Sequence, residues 1–243
     1  LKKIYVIGLG PGNFDQITPK ALNALNESDI ITGYDYYIEL IKPLIKGKEI
    51  FSTPMRQELD RCKKALEYAL EGKTVAVVSS GDAGVYGMAG IIYQVCSKYP
   101  WVRIEVIPGI TACCSGAAVL GAPLIHDFAV ISLSDLLTPW EKIEKRLLLA
   151  SEADFVICLY NPSSKKRADY LKKACEIMIK FKPQNTPCGY VKNIGREGEE
   201  YSIVALGELK SAKADMFTMV IIGNSQTKVI NGKLVTPRGY TGL

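Results

Sequence analysis

In the first hundred residues, short β-branched blocks alternate with amphipathic stretches. KKIYVIGLG (2–10) predicts a strand running into a turn. Thr18 followed by Pro19 predicts a helix start, because threonine accepts a free N-terminal N–H and proline suits the first helical position. That helix runs to about Asn26, and DIITG predicts the next strand. Leu59, Cys62, Leu66, Ala69 and Leu70 recur at helical spacing and predict a helix over 57–71. KTVAVVSSGD predicts a buried strand ending in a loop, 88–97 a helix, RIEVIPG another strand, and 111–120 a helix of small residues. Strand–helix alternation of this kind predicts a parallel α/β sheet.

The pattern changes at GAPLIHD, which predicts two domains, 1–122 and 123–243. FAVISLS and ADFVICLY predict strands, with helices near 139–150 and 165–180. TPCGYVKN, YSIVALGEL and FTMVIIG follow with fewer helices between them. The second domain is therefore expected to be α/β with a mixed, partly antiparallel sheet. The polar tail NGKLVTPRGYTGL predicts a loop or hairpin.

Composition mainly excludes. Hydrophobic residues at 48% and charged residues at 23% give an ordinary globular balance. Thirty Lys+Arg against 25 Asp+Glu leave a net charge of +5. That excess is too small for a nucleic-acid binder and suits a small acidic ligand. The single histidine, His126, excludes a zinc site built on paired histidines. The seven cysteines form no C-x-x-C pair, and several lie in apolar runs, which points to buried thiols in a reducing cytosol. With no signal peptide and no apolar run of membrane-spanning length, a soluble cytoplasmic protein is expected, with no membrane partner.

Three glycine-rich loops follow strands. Gly8-Leu9-Gly10-Pro11-Gly12-Asn13 approaches the dinucleotide fingerprint, but Asn13 stands where it needs glycine, and Pro11 removes an N–H that a phosphate would use. A structural turn is the alternative. Ser79–Gly87 follows VAVVS, with Asp82 either a helix cap or an acceptor for a ligand. Pro108-Gly109-Ile110-Thr111-Ala112 is a third strand-to-helix junction. Together these loops fall at the carboxyl edge of one sheet, where open α/β sheets bind ligands. In the second half, Ser132, Ser134, Asp135, Thr138, Tyr160 and Asn161 are polar groups at strand ends, with turn and capping roles as the alternative. Lys165-Lys166-Arg167 reads as a helix start, where cations oppose the helix dipole and hint at an anionic partner. His126 reads as a boundary residue before a catalyst.

IGLGPG (7–12), SSGDAGVYG (79–87) and PGITA (108–112), in this order and spacing, resemble the tetrapyrrole methyltransferase family over nearly the whole chain. GDAGVYGMA, SLSDLLTPW and YNPSSKKR are most similar to members that methylate C-17 of precorrin-3B or cobalt-factor III, with ring contraction, in cobalamin synthesis. The resemblance implies two α/β domains, S-adenosylmethionine as cofactor and a homodimer. It implies cofactor contacts at Pro11, Ser80, Gly81, Asp82, Val85, Thr111 and Ala112, at Leu159 or Tyr160, and at Val191, Asn193, Ile194, Thr218 and Met219. Any cobalt would belong to the substrate, so no protein metal site is expected. Ser134, Asp135, Asn161, Lys165 and Arg167 are the expected substrate contacts. Arg56, Lys166, Lys192, Arg196 and Arg238 are further cations for the substrate's carboxylates. For proton transfer, Asp82 and Ser132 lead the acid–base candidates. A sister methylase acting at another ring carbon, or a non-catalytic tetrapyrrole or nucleotide sensor, are the alternatives.

Overall fold

The structure, a computed structural model, describes residues 3–164 and 167–241. The chain forms two compact units, Leu1–Ala112 and Cys113–Leu243. In the first, β1 (Lys3–Gly8), α1 (Pro19–Glu27), β2 (Ile30–Tyr34), α2 (Asp35–Ile41), β3 (Glu49–Thr53), α3 (Glu58–Leu70), β4 (Thr74–Ser79), α4 (Ala89–Val95) and β5 (Arg103–Ile107) alternate. The strands make one sheet in the order β3-β2-β4-β1-β5, every pair parallel. Alternate residues of β1 and β4 point to opposite faces. Ile4, Val6, Val75 and Val77 pack with Cys62, Ala65 and Ala69 of α3 and Ile92 of α4. Tyr5, Ile7, Ala76 and Val78 pack with Ala21, Leu25 and Ile38 of α1 and α2. A sheet covered on both faces explains the unbroken apolar runs VAVV and IYVIG. The Thr18 hydroxyl accepts the Ala21 N–H at 3.1 Å, so the predicted cap is present. The sequence pattern does not mark α2 or β3. β3 is an edge strand whose exposed Glu49, Ile50 and Ser52 give no buried-strand signal.

The second unit contains α5 (Ala112–Leu120, whose first residue closes unit one), β6 (Gly121–Ala122), β7 (Phe128–Ser132), α6 (Trp140–Glu152), β8 (Val156–Tyr160), α7 (Tyr170–Met178), β9 (Pro187–Lys192), β10 (Glu200–Ala205), α8 (Leu206–Leu209), β11 (Thr218–Ile222), β12 (Lys228–Ile230) and β13 (Lys233–Val235). Its main sheet runs β10-β9-β11-β8-β7. Only β7–β8 is parallel; β8–β11, β11–β9 and β9–β10 are antiparallel. The sheet is mixed, as the sequence predicts. Ile131, Ile157, Leu159, Val220 and Ile222 bury one face against α6, α7 and α8. The tail forms the hairpin β12–β13, and β13 pairs in parallel with β6.

The units divide at 112/113, whereas the sequence pattern changes at 122/123. The reason is α5, which continues the strand–helix rhythm of the first half but packs within the second. A Cβ on its Gly116 would stand 3.1 Å from Met219 Cγ and 3.2 Å from Ile194 Cδ1. Its Leu120 side chain lies 2.7 Å from where a Cβ on Gly189 would be.

Candidate active site

Because the first sheet is wholly parallel, the loops after β1, β4 and β5 leave the same carboxyl edge. They are joined through backbone. Gly10 N–H donates to Gly81 O at 3.0 Å, Gly81 N–H donates back to Gly10 O at 2.7 Å, and Leu9 N–H donates to Ser79 O at 2.9 Å. Gly10 and Gly81 have φ of +76° and +68°, the left-handed region that favours glycine. A Cβ on Gly109 would sit 2.2 Å from Gly81 O and 2.6 Å from Gly8 O. The glycines at 8 and 109 thus serve the approach of one loop to another.

Asp82 staples these loops. Its Oδ1 accepts the N–H groups of Gly84 at 2.7 Å and Val85 at 3.1 Å, and its Oδ2 accepts that of Gly109 at 3.0 Å. Both oxygens are engaged by backbone donors. Pro11 is buried, Ser80, Val85, Thr111 and Ala112 are half-buried, and Thr111 Cα lies 3.7 Å from where a Cβ on Gly81 would stand. The Ser79 hydroxyl oxygen, buried at the end of β4, has no hydrogen-bond partner among the described residues. No lysine or arginine occurs in 8–12, 79–87 or 108–112.

The second sheet also gathers its expected residues at one edge. β7, β8 and β9 run in the same direction and β11 runs opposite, so Ser132, Tyr160, Lys192 and Thr218 mark one end of it. Leu159 and Val191 are buried, and Met219 stands opposite Val191 in register. Ile194 and Met219 meet under Gly116. Asn193, at φ +50°, donates its N–H to Phe217 O at 3.2 Å and its Nδ2 to Gly198 O at 3.3 Å. The Thr218 hydroxyl donates to Asp215 Oδ1 at 2.9 Å.

Beside them lies a polar network. Ser132 Oγ accepts Ser134 N–H at 3.2 Å and Asn161 Nδ2 at 3.0 Å. Arg167 donates from Nη1 to Ser134 Oγ at 2.8 Å and Asp135 Oδ1 at 3.2 Å, and from Nε to Ser164 Oγ at 3.1 Å. Tyr170 donates its phenol proton to Asp135 Oδ2 at 2.6 Å, and its ring lies 4.5 Å from that of Trp140. The Tyr170 bond, then the Arg167 bond, hold the Asp135 carboxyl below its ordinary range. The sequence marks Trp140 and Ser164 only as members of SLSDLLTPW and YNPSSKKR, and it does not mark Tyr170. Tyr170 reaches Asp135 across 35 positions, a link with no local signature.

One expectation changes. α7 starts at Tyr170, so Arg167 lies before the helix, and its charge meets Asp135 instead of opposing the helix dipole. His126 precedes β7 and is exposed at the amino end of that strand, away from the edge carrying Ser132. Lys165 and Lys166 lie outside the described residues. Of the other cations, Arg56 and Arg238 are exposed, Lys192 pairs with Glu200 at 3.4 Å, and Arg196 lies over the Phe217 ring at 5.6 Å.

Six of the seven cysteines are buried and all are free. Burial pushes Cys62 and Cys175 up to about 12. Cys113, at the start of α5, donates its N–H to the Tyr160 hydroxyl oxygen at 3.0 Å. A hydrogen bond with Cys158 holds the Cys113 thiol below its ordinary value, and the same bond with burial holds Cys158 above. Among the described residues, no cluster of three or more His, Cys, Asp or Glu side chains is arranged to hold a metal. No described helix is long and apolar enough to cross a membrane.

The model of the family described as Tetrapyrrole (Corrin/Porphyrin) Methylases matches residues 3–210. The chain is 48% identical over 243 residues to the cobalt-factor III methyltransferase of Priestia megaterium, covering 98% of this chain and 45% of that protein. It is 47% identical over 237 residues to the probable cobalt-factor III C(17)-methyltransferase of Salmonella typhimurium, covering 97% of this chain and 98% of that one. The chain therefore spans about half the length of the first relative and nearly all of the second. The crystal structure of the methyltransferase CobJ is similar with a TM-score of 0.90 at 39% identity, covering 96% of this chain and 99% of that one. A match over most of its length, together with the three joined loops and the parallel and mixed sheets, places the chain in the tetrapyrrole (corrin/porphyrin) methylase family.

Proposed function

We propose that this chain is an S-adenosylmethionine-dependent methyltransferase that adds a methyl at C-17 of cobalt-factor III or precorrin-3B, with ring contraction, in cobalamin biosynthesis. The observation that carries the reading is 47% identity to the Salmonella relative over nearly all of both chains. The residues fit the cofactor. A sulfonium is best met by carbonyl dipoles and apolar walls, and the first unit's edge offers backbone, proline and small side chains with no cation among them. The unpartnered Ser79 hydroxyl leaves one buried polar group for a ligand atom or an ordered water.

Pro11, Ser80, Gly81, Val85, Thr111 and Ala112 are proposed cofactor contacts, as are Leu159, Tyr160, Val191, Asn193, Ile194, Thr218 and Met219. When bound, adenosylmethionine supplies an activated methyl. The chain's task is then alignment of two ligands, an effect worth up to roughly 7–11 kcal/mol. Asp82 acts as a positioning residue, since its carboxylate holds the backbone N–H groups of Gly84, Val85 and Gly109 in place. Asn161, Ser134, Asp135 and Arg167 would meet the substrate's polar rim, and Lys165 extends that set. The net charge of +5 favours an acidic substrate through weak, salt-sensitive steering. We further propose a homodimer acting in the cytoplasm.

Anaerobic incubation with adenosylmethionine and cobalt-factor III, followed by mass spectrometry, tests the reading. A gain of one methyl, placed at C-17 by carbon-labelled NMR, is the expected result. A methyl at another carbon identifies a sister methylase, and binding with no mass gain identifies a sensor.

A further inference from the structure

Ser132 closes β7 at the edge where the second unit's polar residues gather. A hydroxyl oxygen has two acceptor positions and one proton. Both acceptor positions of Ser132 Oγ are filled, one by Ser134 N–H at 3.2 Å and one by Asn161 Nδ2 at 3.0 Å. Among the described residues no hydrogen bond takes its proton. Ser132 is half-buried, so it is not sealed inside the core.

This orientation is built. Asn161 has φ +51°, a left-handed conformation that asparagine tolerates better than most residues, and from it the amide turns back to a serine 29 positions upstream. Leu133, fully buried, donates its N–H to Tyr160 O at 2.9 Å and fixes the two loops against each other. Ser134 is held in turn by Arg167.

We infer that Ser132 is a fixed hydrogen-bond donor to a substrate carboxylate, and that Asn161 is the positioning residue that aims it. The inference rests on the functional reading above and deepens it. It also redefines the expected part of Ser132 in acid–base chemistry: with both lone pairs occupied, the oxygen is not placed to take up a proton. A carboxylate is the matching acceptor, because a hydrogen bond to an ionised group is about twice as strong as a neutral one.

The test is steady-state kinetics with cobalt-factor III and adenosylmethionine on Ser132→Ala, Ser132→Thr and Asn161→Asp. Aspartate at 161 replaces the donating amide with an acceptor, so the Ser132 proton turns inward. Ser132→Ala and Asn161→Asp should each raise KM for cobalt-factor III about tenfold, equal to about 1.4 kcal/mol. Turnover should stay within about twofold, with KM for adenosylmethionine unchanged. Ser132→Thr, which keeps the hydroxyl, should recover most of the tetrapyrrole affinity lost in Ser132→Ala, and the unchanged KM for adenosylmethionine guards against a mere folding effect. An unchanged tetrapyrrole KM in both variants overturns the inference. So does a turnover loss in Ser132→Ala paired with full or raised turnover in Asn161→Asp, the signature of a base. If the wild-type chain itself transfers no methyl to cobalt-factor III, the functional reading has failed and takes the inference with it.

Discussion

The carboxyl edge of the first sheet is assembled from backbone, and the corresponding edge of the second from side chains. Gly8, Gly10, Gly81 and Gly109 let three loops touch through their main chains, with Asp82 anchoring N–H groups from two of them. Ser132, Ser134, Asp135, Asn161, Arg167 and Tyr170 instead join through hydroxyl, carboxyl, amide and guanidinium groups. The difference teaches where each edge is vulnerable. A backbone-built edge has no rotamers with which to absorb an added atom. A side-chain edge can lose one partner and keep its strands.

The harshest test of that contrast is Gly109→Ala. The new methyl would meet two carbonyl oxygens of neighbouring loops, and neither is the end of a flexible side chain. We expect a loss of about 3 kcal/mol or more in urea unfolding, together with loss of adenosylmethionine binding. A loss below about 0.5 kcal/mol would show that the loops yield and would dissolve the contrast.

Asp82→Ala should come next. It strips three backbone N–H groups of their acceptor, for a loss of about 2 kcal/mol and a sharp fall in turnover. Unfolding and turnover must be measured on the same sample. Wild-type stability with no turnover would give Asp82 a chemical part and break the description of this edge as structural.

Tyr170→Phe should have the smallest effect, about 1 kcal/mol, because Arg167 still holds Asp135. Its pH dependence has a definite sign. The folded state holds Asp135 below its ordinary value, so the stabilisation is present above the unfolded value of about 3.9 and fades as pH falls through the lower folded value. The gap between wild type and variant should therefore be full at neutral pH and close in acid. Carboxyl NMR should show Asp135 titrating higher in the variant. An unshifted Asp135 would mean that the phenol bond contributes nothing in solution.

These edges were unequally legible in the sequence. The parallel sheet announces itself through buried β-branched runs and capped helices, and Thr18-Pro19 marks its helix start to the residue. The loops are legible as glycine punctuation after strands, because a left-handed φ or a close approach admits few other residues. What the glycines approach is not written locally: the pairing of Gly10 with Gly81 spans 71 positions. The network around Asp135 hides for the same reason. Ser134 and Asp135 were visible as polar residues after a strand, but nothing near them points to Tyr170. β3 went unread because an edge strand needs no apolar alternation.

The reciprocal amide pair between Gly10 and Gly81 has a consequence for how such a protein diversifies. It stores its geometry in main-chain atoms, so almost no substitution that preserves the two glycines can retune it. The geometry at this pair is thus set by the main chain and not by exchangeable side chains. Under the proposed function, novelty in what the molecule recognises would be written in exchangeable groups, the serine, asparagine and arginine side chains that follow β7 and β8.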